Sequence, residues 1–178
     1  MHHGLRFYAR YQEVFIRYYI FQSSFTKIPL IGPLVRKVAN IYGQKQQSAY
    51  LLTVEEVNQI IEISPELYLG SCSCRKIYKN CKNSIESEIL LSFDSNPFLQ
   101  IRPEAYRLIS KSTAKEILKE NQRKGLLLTL IKCQNHYYAI CSCCSCCCVP
   151  LRLFKNYGIG KALVRDKNVV ELFKQSLI

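Results

Sequence analysis

The 178-residue chain is 48% hydrophobic, has no Trp but 12 Tyr and 8 Phe, and carries a net charge of +12. That length and apolar content suit one ordered domain with an appended arm, and seven Gly with six Pro are too few for long disordered stretches. No Ser-His-Asp pattern, carboxylate pair or dinucleotide fingerprint stands out, and Gly158-Ile159-Gly160-Lys161 lacks the length and the Ser or Thr of a phosphate loop.

Charge is concentrated at the flanks. Residues 1–50 hold seven Lys or Arg against one Glu, and residues 151–178 hold six against two acidic residues. A solvated surface and counter-charge for thiolates are the plain readings. An acidic partner protein, nucleic acid without a recognised motif, or anionic lipid are the sharper ones. The N-terminal stretch shows no uninterrupted apolar run or small-residue cleavage site, so a secretory signal is not expected. A reducing, cytoplasmic setting with unpaired thiols follows.

In chain order, residues 5–21 place Phe7, Tyr11, Phe15 and Tyr18 at helical spacing, with core packing the first reading and an interfacial membrane helix the second. Pro29 and the turn at Ile31-Gly32-Pro33 end this element, and residues 34–42 form a second helix closed by Gly43. Thr53 and Glu56 make a capping box for a helix over 54–63. Residues 67–69 read as a strand feeding the first cysteine loop, residues 85–93 as a short helix, and Pro97 and Pro103 bracket an edge strand. Thr113 with Glu116 caps the next helix through Arg123, which Gly125 ends in a left-handed turn. Residues 126–132 and 137–141 then pair as antiparallel strands around Gln134 and Asn135. Residues 133–151 lack Lys, Arg, Asp and Glu, but their polar residues and Pro150 argue for a buried strand and ligand loop over a membrane span. The fold class is α+β: a small antiparallel sheet with flanking helices, an N-terminal helical arm (1–49), a cysteine-rich domain (50–155) and a basic extension packed on it (156–178).

The chemistry lies in two cysteine groups. Cys72, Cys74 and Cys81 are interleaved with Arg75, Lys76, Lys79 and Lys82, and six of the eight residues from 141 to 148 are cysteine: Cys141, Cys143, Cys144, Cys146, Cys147 and Cys148. Adjacent cysteines cannot reach normal disulfide geometry with each other, and packed bare thiols oxidise, so this density points to metal. Both groups begin at predicted strand ends, which lets a rigid sheet aim loop thiolates at one place. Arg75 is a candidate cofactor-binding residue that hydrogen-bonds metal-bound sulfur from outside the ligand set. Nine thiols allow two four-ligand sites or one polynuclear cluster with a spare. Spacing leaves iron–sulfur and zinc nearly even, since neither the usual zinc knuckles nor a ferredoxin run is complete. Cys133 reads as a small buried hydrophobe, and His136, beside the second group, as structural before ligand.

The strings Gly70–Asn83, 109–118, 124–129 and Tyr138–Arg152 resemble a cysteine-rich module of archaea and anaerobic bacteria that precedes a 4Fe-4S ferredoxin-type domain. The resemblance covers about residues 67–155; Ser142 stands where Asn is expected, and no ferredoxin motif lies within these residues. It implies that all nine cysteines are metal ligands and that the cofactor is an iron–sulfur cluster of the 4Fe-4S kind, with zinc the alternative. The expected function is electron transfer or a redox accessory role, docking an acidic redox partner. The alternatives are a zinc-stabilised interaction or nucleic-acid-binding module and a thiol-based sulfur or metal carrier.

Overall fold

The computed structural model describes residues 3–92 and 96–177, with the His3 side chain not described. Its elements are α1 (His3–Ser24), α2 (Gly32–Lys45), β1 (Gln47–Leu51), α3 (Val54–Ile63), β2 (Glu66–Ser71), α4 (Ser73–Tyr78), β3 (Glu86–Ser92), α5 (Pro97–Ile101), β4 (Tyr106–Ile109), α6 (Lys111–Arg123), β5 (Leu127–Cys133), β6 (His136–Cys143), α7 (Val149–Tyr157), β7 (Leu163–Val164) and α8 (Val169–Gln175). The fold is α+β, with one seven-stranded sheet in the order β4-β2-β3-β6-β5-β1-β7. Every pairing is antiparallel except β1 with β7, so the sheet is mixed rather than purely antiparallel.

Alternation along the central strands divides two cores. Ile89 and Leu91 of β3 join Ile60, Leu118 and Phe173 beneath α3, α6 and α8, whereas Leu90 joins Leu5, Tyr8, Phe98 and Leu151 beneath α1, α5 and α7. Helices on both faces require β3 to be apolar on both sides, which produces an unbroken Ile-Leu-Leu run. That run is what makes 85–93 look helical, and the expected helix is instead a central strand; Phe93 lies outside the described residues.

Three other expectations are corrected. The predicted edge strand between Pro97 and Pro103 is α5, capped by Asn96 Oδ1 accepting from Phe98 N–H at 3.0 Å, and the edge strand next in sequence is β4. Ser110, not Thr113, caps α6: its Oγ accepts from Thr113 N–H at 3.1 Å, one turn earlier than the capping-box pattern suggests. Gly43 does not close α2, which runs on to Lys45. A Cβ there would sit 3.1 Å from the Lys161 carbonyl carbon and oxygen, so the glycine serves close helix-to-loop packing. Gly125, by contrast, does take the left-handed turn expected of it, at φ +76°.

In α1 the buried stripe is Leu5, Tyr8, Ala9, Gln12 and Ile16, not the aromatic stripe read from the sequence. Phe7, Tyr11 and Tyr18 are 58%, 43% and 48% exposed, and Phe15 is half-buried against Tyr8. Two apolar stripes run along this helix. The one that turns inward carries small Ala9 and a Gln12 whose Oε1 accepts from Ser73 Oγ and Arg102 Nη2, both at 2.9 Å. Among the described residues no helix is long and apolar enough to cross a membrane.

The capping box of α3 forms as its sequence demands. Thr53 Oγ1 accepts from Glu56 N–H at 3.2 Å, and Glu56 Oε2 accepts from Thr53 N–H at 2.8 Å. Burial works to raise the Glu56 carboxyl, but the Thr53 amide and the Arg165 guanidinium outweigh it and hold the group below its ordinary 4.5. Thr53→Ala will cost about 1 kcal/mol, seen in a thermal melt as a fall of about 2–4 °C. Since the folded state favours ionised Glu56, its contribution is present at neutral pH and fades as pH falls below 4.5. Glu56→Gln will flatten the acid limb of the stability curve.

Candidate metal centre

Two strand ends and two short helices bring the thiols together. β2 delivers Cys72 as the residue before α4, Cys74 and Arg75 lie in the first turn of α4, and Cys81 follows in the loop to β3. On the other side β6 runs through Cys141 to Cys143, a turn carries 144–147, and Cys148 precedes α7, whose Pro150 sits in its first turn. The second cysteine group therefore begins inside a strand rather than at its end. The turn is closed by Cys148 N–H donating to the Cys144 carbonyl at 3.1 Å, and the two loops are joined by Asn80 Nδ2 donating to the Cys146 carbonyl at 3.2 Å.

The nine thiols separate into two sets. Cys81, Cys144, Cys146 and Cys147 place their Sγ atoms all within 4.8 Å of one another, a group that could hold a metal ion. Three of the separations, Cys81 to Cys144, Cys81 to Cys147 and Cys146 to Cys147, are 3.8 Å. A tetrahedron with metal–sulfur bonds of about 2.3 Å has edges of about 3.8 Å, so the donor set and the spacing both fit one four-coordinate ion. Cys144 and Cys147 are buried and Cys81 and Cys146 half-buried, with Leu126 and Tyr78 packed around them.

Cys72, Cys74, Cys141, Cys143 and Cys148 form the other set. Cys141 and Cys143, two apart on β6, point to the α1 side of the sheet, while Ser142 between them points to the opposite side and its Oγ accepts from Asn121 Nδ2 of α6 at 3.0 Å. All five, together with Cys144 of the compact set, line one cavity. Among the described residues no three of them come close enough for a single ion. They run as two close pairs, Cys72 with Cys74 and Cys143 with Cys148, with Cys141 alongside.

Arg75 stands between the sets. It is 2% exposed, and its Nη1 donates to the Ser84 carbonyl at 2.5 Å and to Ser87 Oγ at 2.7 Å, while Nη2 donates to the Ser142 carbonyl. Nε has no hydrogen-bond partner. The thiols feel its charge. A hydrogen bond from the Cys74 thiol, acting against burial and helped by the Arg75 amide and guanidinium, brings Cys72 down to about 6, while its partner Cys74 is pushed well up. Burial works to raise Cys144, but Arg75 and the neighbouring Cys146, Cys147 and Cys81 groups bring it down to about 7. Each set thus holds one thiolate ready for metal at neutral pH and further thiols that lose protons as metal binds.

One site residue was not read from the sequence. Glu88 of β3, 4% exposed and paired in register with Cys141, is pushed up to about 8 by burial and by Cys72. A carboxyl amid Ile and Leu was its only signal, in a segment read as a short helix. Cys133 is buried, as a small hydrophobe would be, and lies outside both thiol sets; burial pushes it up to about 11. His136 begins β6 at the end opposite the cysteines, in register with Cys133. Scans against protein-family models, curated proteins and solved structures found no match to this chain.

Proposed function

We propose that the protein is a metal–thiolate redox protein with two centres on either side of Arg75. The observation that carries this reading is the gathering of Cys81, Cys144, Cys146 and Cys147 from two distant loops beside a buried guanidinium whose charge also acts on Cys72 and Cys141. The compact set of Cys81, Cys144, Cys146 and Cys147 is read as a site for one tetrahedral ion, zinc by preference, which ties the two loops together. The five-thiol set is read as the iron–sulfur centre. Its two close pairs with Cys141 alongside suit a cluster of more than one iron, and the resemblance of residues 67–155 to modules preceding 4Fe-4S domains supports iron. When bound, such a cluster would supply one-electron chemistry. The chain's own contribution is to bury the thiols and to neutralise part of their charge with Arg75. The basic flanks suit brief docking of an acidic redox partner through electrostatic steering.

Metal and acid-labile sulfide analysis of anaerobically purified protein tests this reading, alongside a visible spectrum before and after dithionite. The expected result is one zinc per chain together with iron and labile sulfide, and a broad absorbance that bleaches on reduction. Protein that carries zinc alone and is colourless would remove the redox function and leave a zinc-stabilised module. Protein free of both metals would remove the whole reading.

A further inference from the structure

Residues 14–54 hold five Lys or Arg and no Asp or Glu. In the fold they span the second half of α1, a turn, α2 and β1. Both helices keep an apolar row on their outer side. Val14, Tyr18, Phe21 and Phe25 recur at helical spacing from α1 into the turn and are all exposed, with the rings of Phe21 and Phe25 5.5 Å apart. On α2 the row is Leu34, Val38 and Ile41, exposed as well. Tyr18 and Phe25 border the same cleft as Leu34 and Val38, so the rows share one side of the hairpin. The turn between them carries Leu30, 94% exposed. These rows are not an unfilled core, because Ile16 and Ser23 of α1 and Gly32 and Gly43 of α2 already pack inward.

Cations surround these rows without a counter-charge. Arg17 stands one turn before Phe21, Lys37 one turn after Leu34 and Lys45 one turn after Ile41. None of the three pairs with a carboxylate among the described residues. Lys27, Arg36 and Lys155, from the turn, α2 and α7, line an open pocket that Ile28 and Pro29 also border and that has no acidic wall. Two of these cations are held in place. Arg36 Nη1 donates to the Thr26 carbonyl at 2.8 Å, and Lys27 Nζ stands 5.2 Å from the centroid of the Tyr157 ring. A pocket of three cations, made for an anion, thus lies beside an exposed apolar turn.

The combination of apolar rows and unpaired cations selects what covers this face. Steering of an acidic protein accounts for the cations but leaves the apolar rows and the tip at Leu30 without use, since brief redox encounters bury little surface. A second copy seated on the same face would bring two sets of cations against each other. An anionic bilayer offers acyl chains to the rows and phosphate to the cations at the same time.

We propose that the outer face of the α1–α2 hairpin is a docking surface for an anionic phospholipid bilayer, with Phe21, Leu30 and Leu34 entering the acyl boundary and the pocket of Lys27, Arg36 and Lys155 receiving a lipid phosphate. Such a contact lies within the interface and needs no crossing helix. The inference stands on exposure and charge and does not rest on the redox reading of the thiols.

Flotation of the anaerobically purified full chain with vesicles of phosphatidylcholine, alone or mixed with phosphatidylserine, tests the surface. Binding at least ten-fold tighter to the anionic vesicles is expected, falling as salt is added. The chain has no Trp, so Leu30→Trp supplies a single reporter. Its emission should shift to the blue on anionic vesicles and be quenched by lipids brominated in their acyl chains. Leu108→Trp, 63% exposed on β4 at the opposite edge of the sheet, should do neither. Lys27→Ala and Lys155→Ala should each weaken binding about five-fold, and Leu34→Ser about ten-fold or more, while circular dichroism stays that of the parent. Equal binding to both kinds of vesicle would overturn the charge assignment, and a Leu30→Trp reporter left unquenched would overturn the face. Vesicles ignored by a chain that takes up polyglutamate would give the surface to an acidic protein. A blue-shifted reporter in lipid-free protein that sediments as a dimer would give it to a second copy.

Discussion

Cys144→Ser will abolish metal binding at the compact thiol set and lower the melting temperature by about 8–16 °C. If the ion is held at a thousand-fold over its dissociation constant, losing it removes about 4 kcal/mol, and a chain of this length shifts by about 2–4 °C for each kcal/mol. The sign follows from coupling, because the four Sγ atoms come from loops 63 residues apart between Cys81 and Cys144, and metal holds those loops only in the folded chain. Serine keeps the size but offers a hydroxyl that stays protonated at neutral pH. Metal analysis with a melt in the presence and absence of a chelator reads the effect, since chelation should lower the parent to the level of the variant and leave the variant unmoved. Two controls sharpen it. Cys74→Ser, from the five-thiol set, should leave the metal of the compact set in place. Cys133→Ser, buried among Leu5, Ile131 and Tyr138, should leave both metals in place. If Cys74→Ser and Cys144→Ser each strip all metal, the nine thiols form one centre and the division into two is wrong.

How much of this was open to reading depends on whether the cause was local. The capping box at Thr53 and Glu56, the left-handed turn at Gly125 and the hairpin around Gln134 and Asn135 are local in origin, and each stands where short-range patterns put it. The β3 strand is not local. Its Ile-Leu-Leu segment acquires meaning only when α1 and α5 cover one face of the sheet and α6 the other, and no spacing within seven residues reports that. In α1 both stripes are apolar, so the inward side is decided by where Gln12 finds Ser73 and Arg102. Cysteine density pointed to metal, and Cys81, Cys144, Cys146 and Cys147 do stand close enough to hold an ion, yet the partition of the nine was not legible. Cys143 and Cys144 are adjacent in sequence but belong to different sets, because β6 ends between them and the strand direction no longer governs where Cys144 points. The cavity was invisible for the same reason, being bounded by elements from 8 to 162 along the chain.

Arg75→Met will be the most damaging single change outside the thiols, costing about 3–5 kcal/mol. The guanidinium links three chain segments: α4, on which it sits, the start of β3 through Ser84 and Ser87, and β6 through the Ser142 carbonyl. Methionine fills the volume but leaves those acceptors buried without a donor. Arg75→Lys will recover only a small part of the loss, because a single ammonium cannot present two nitrogens to Ser84, Ser87 and Ser142 in one plane. A structural role alone would end there, and thiol chemistry supplies a second readout. Arg75 helps to bring Cys144 down to about 7 and Cys72 down to about 6. Without the cation both should move back toward the ordinary thiol range, so at pH 7 the thiolate fraction of Cys144 falls below the roughly one half that a value of about 7 gives. Alkylation of metal-free protein followed against pH, with mass spectrometry to locate the adduct, will show the Cys144 midpoint rising by more than one pH unit in Arg75→Met. Arg75→Lys, which retains the charge without the fork, should place that midpoint between the two. An unmoved midpoint would mean that Arg75 only braces the strands, and metal would then meet both thiol sets without help from the cation between them.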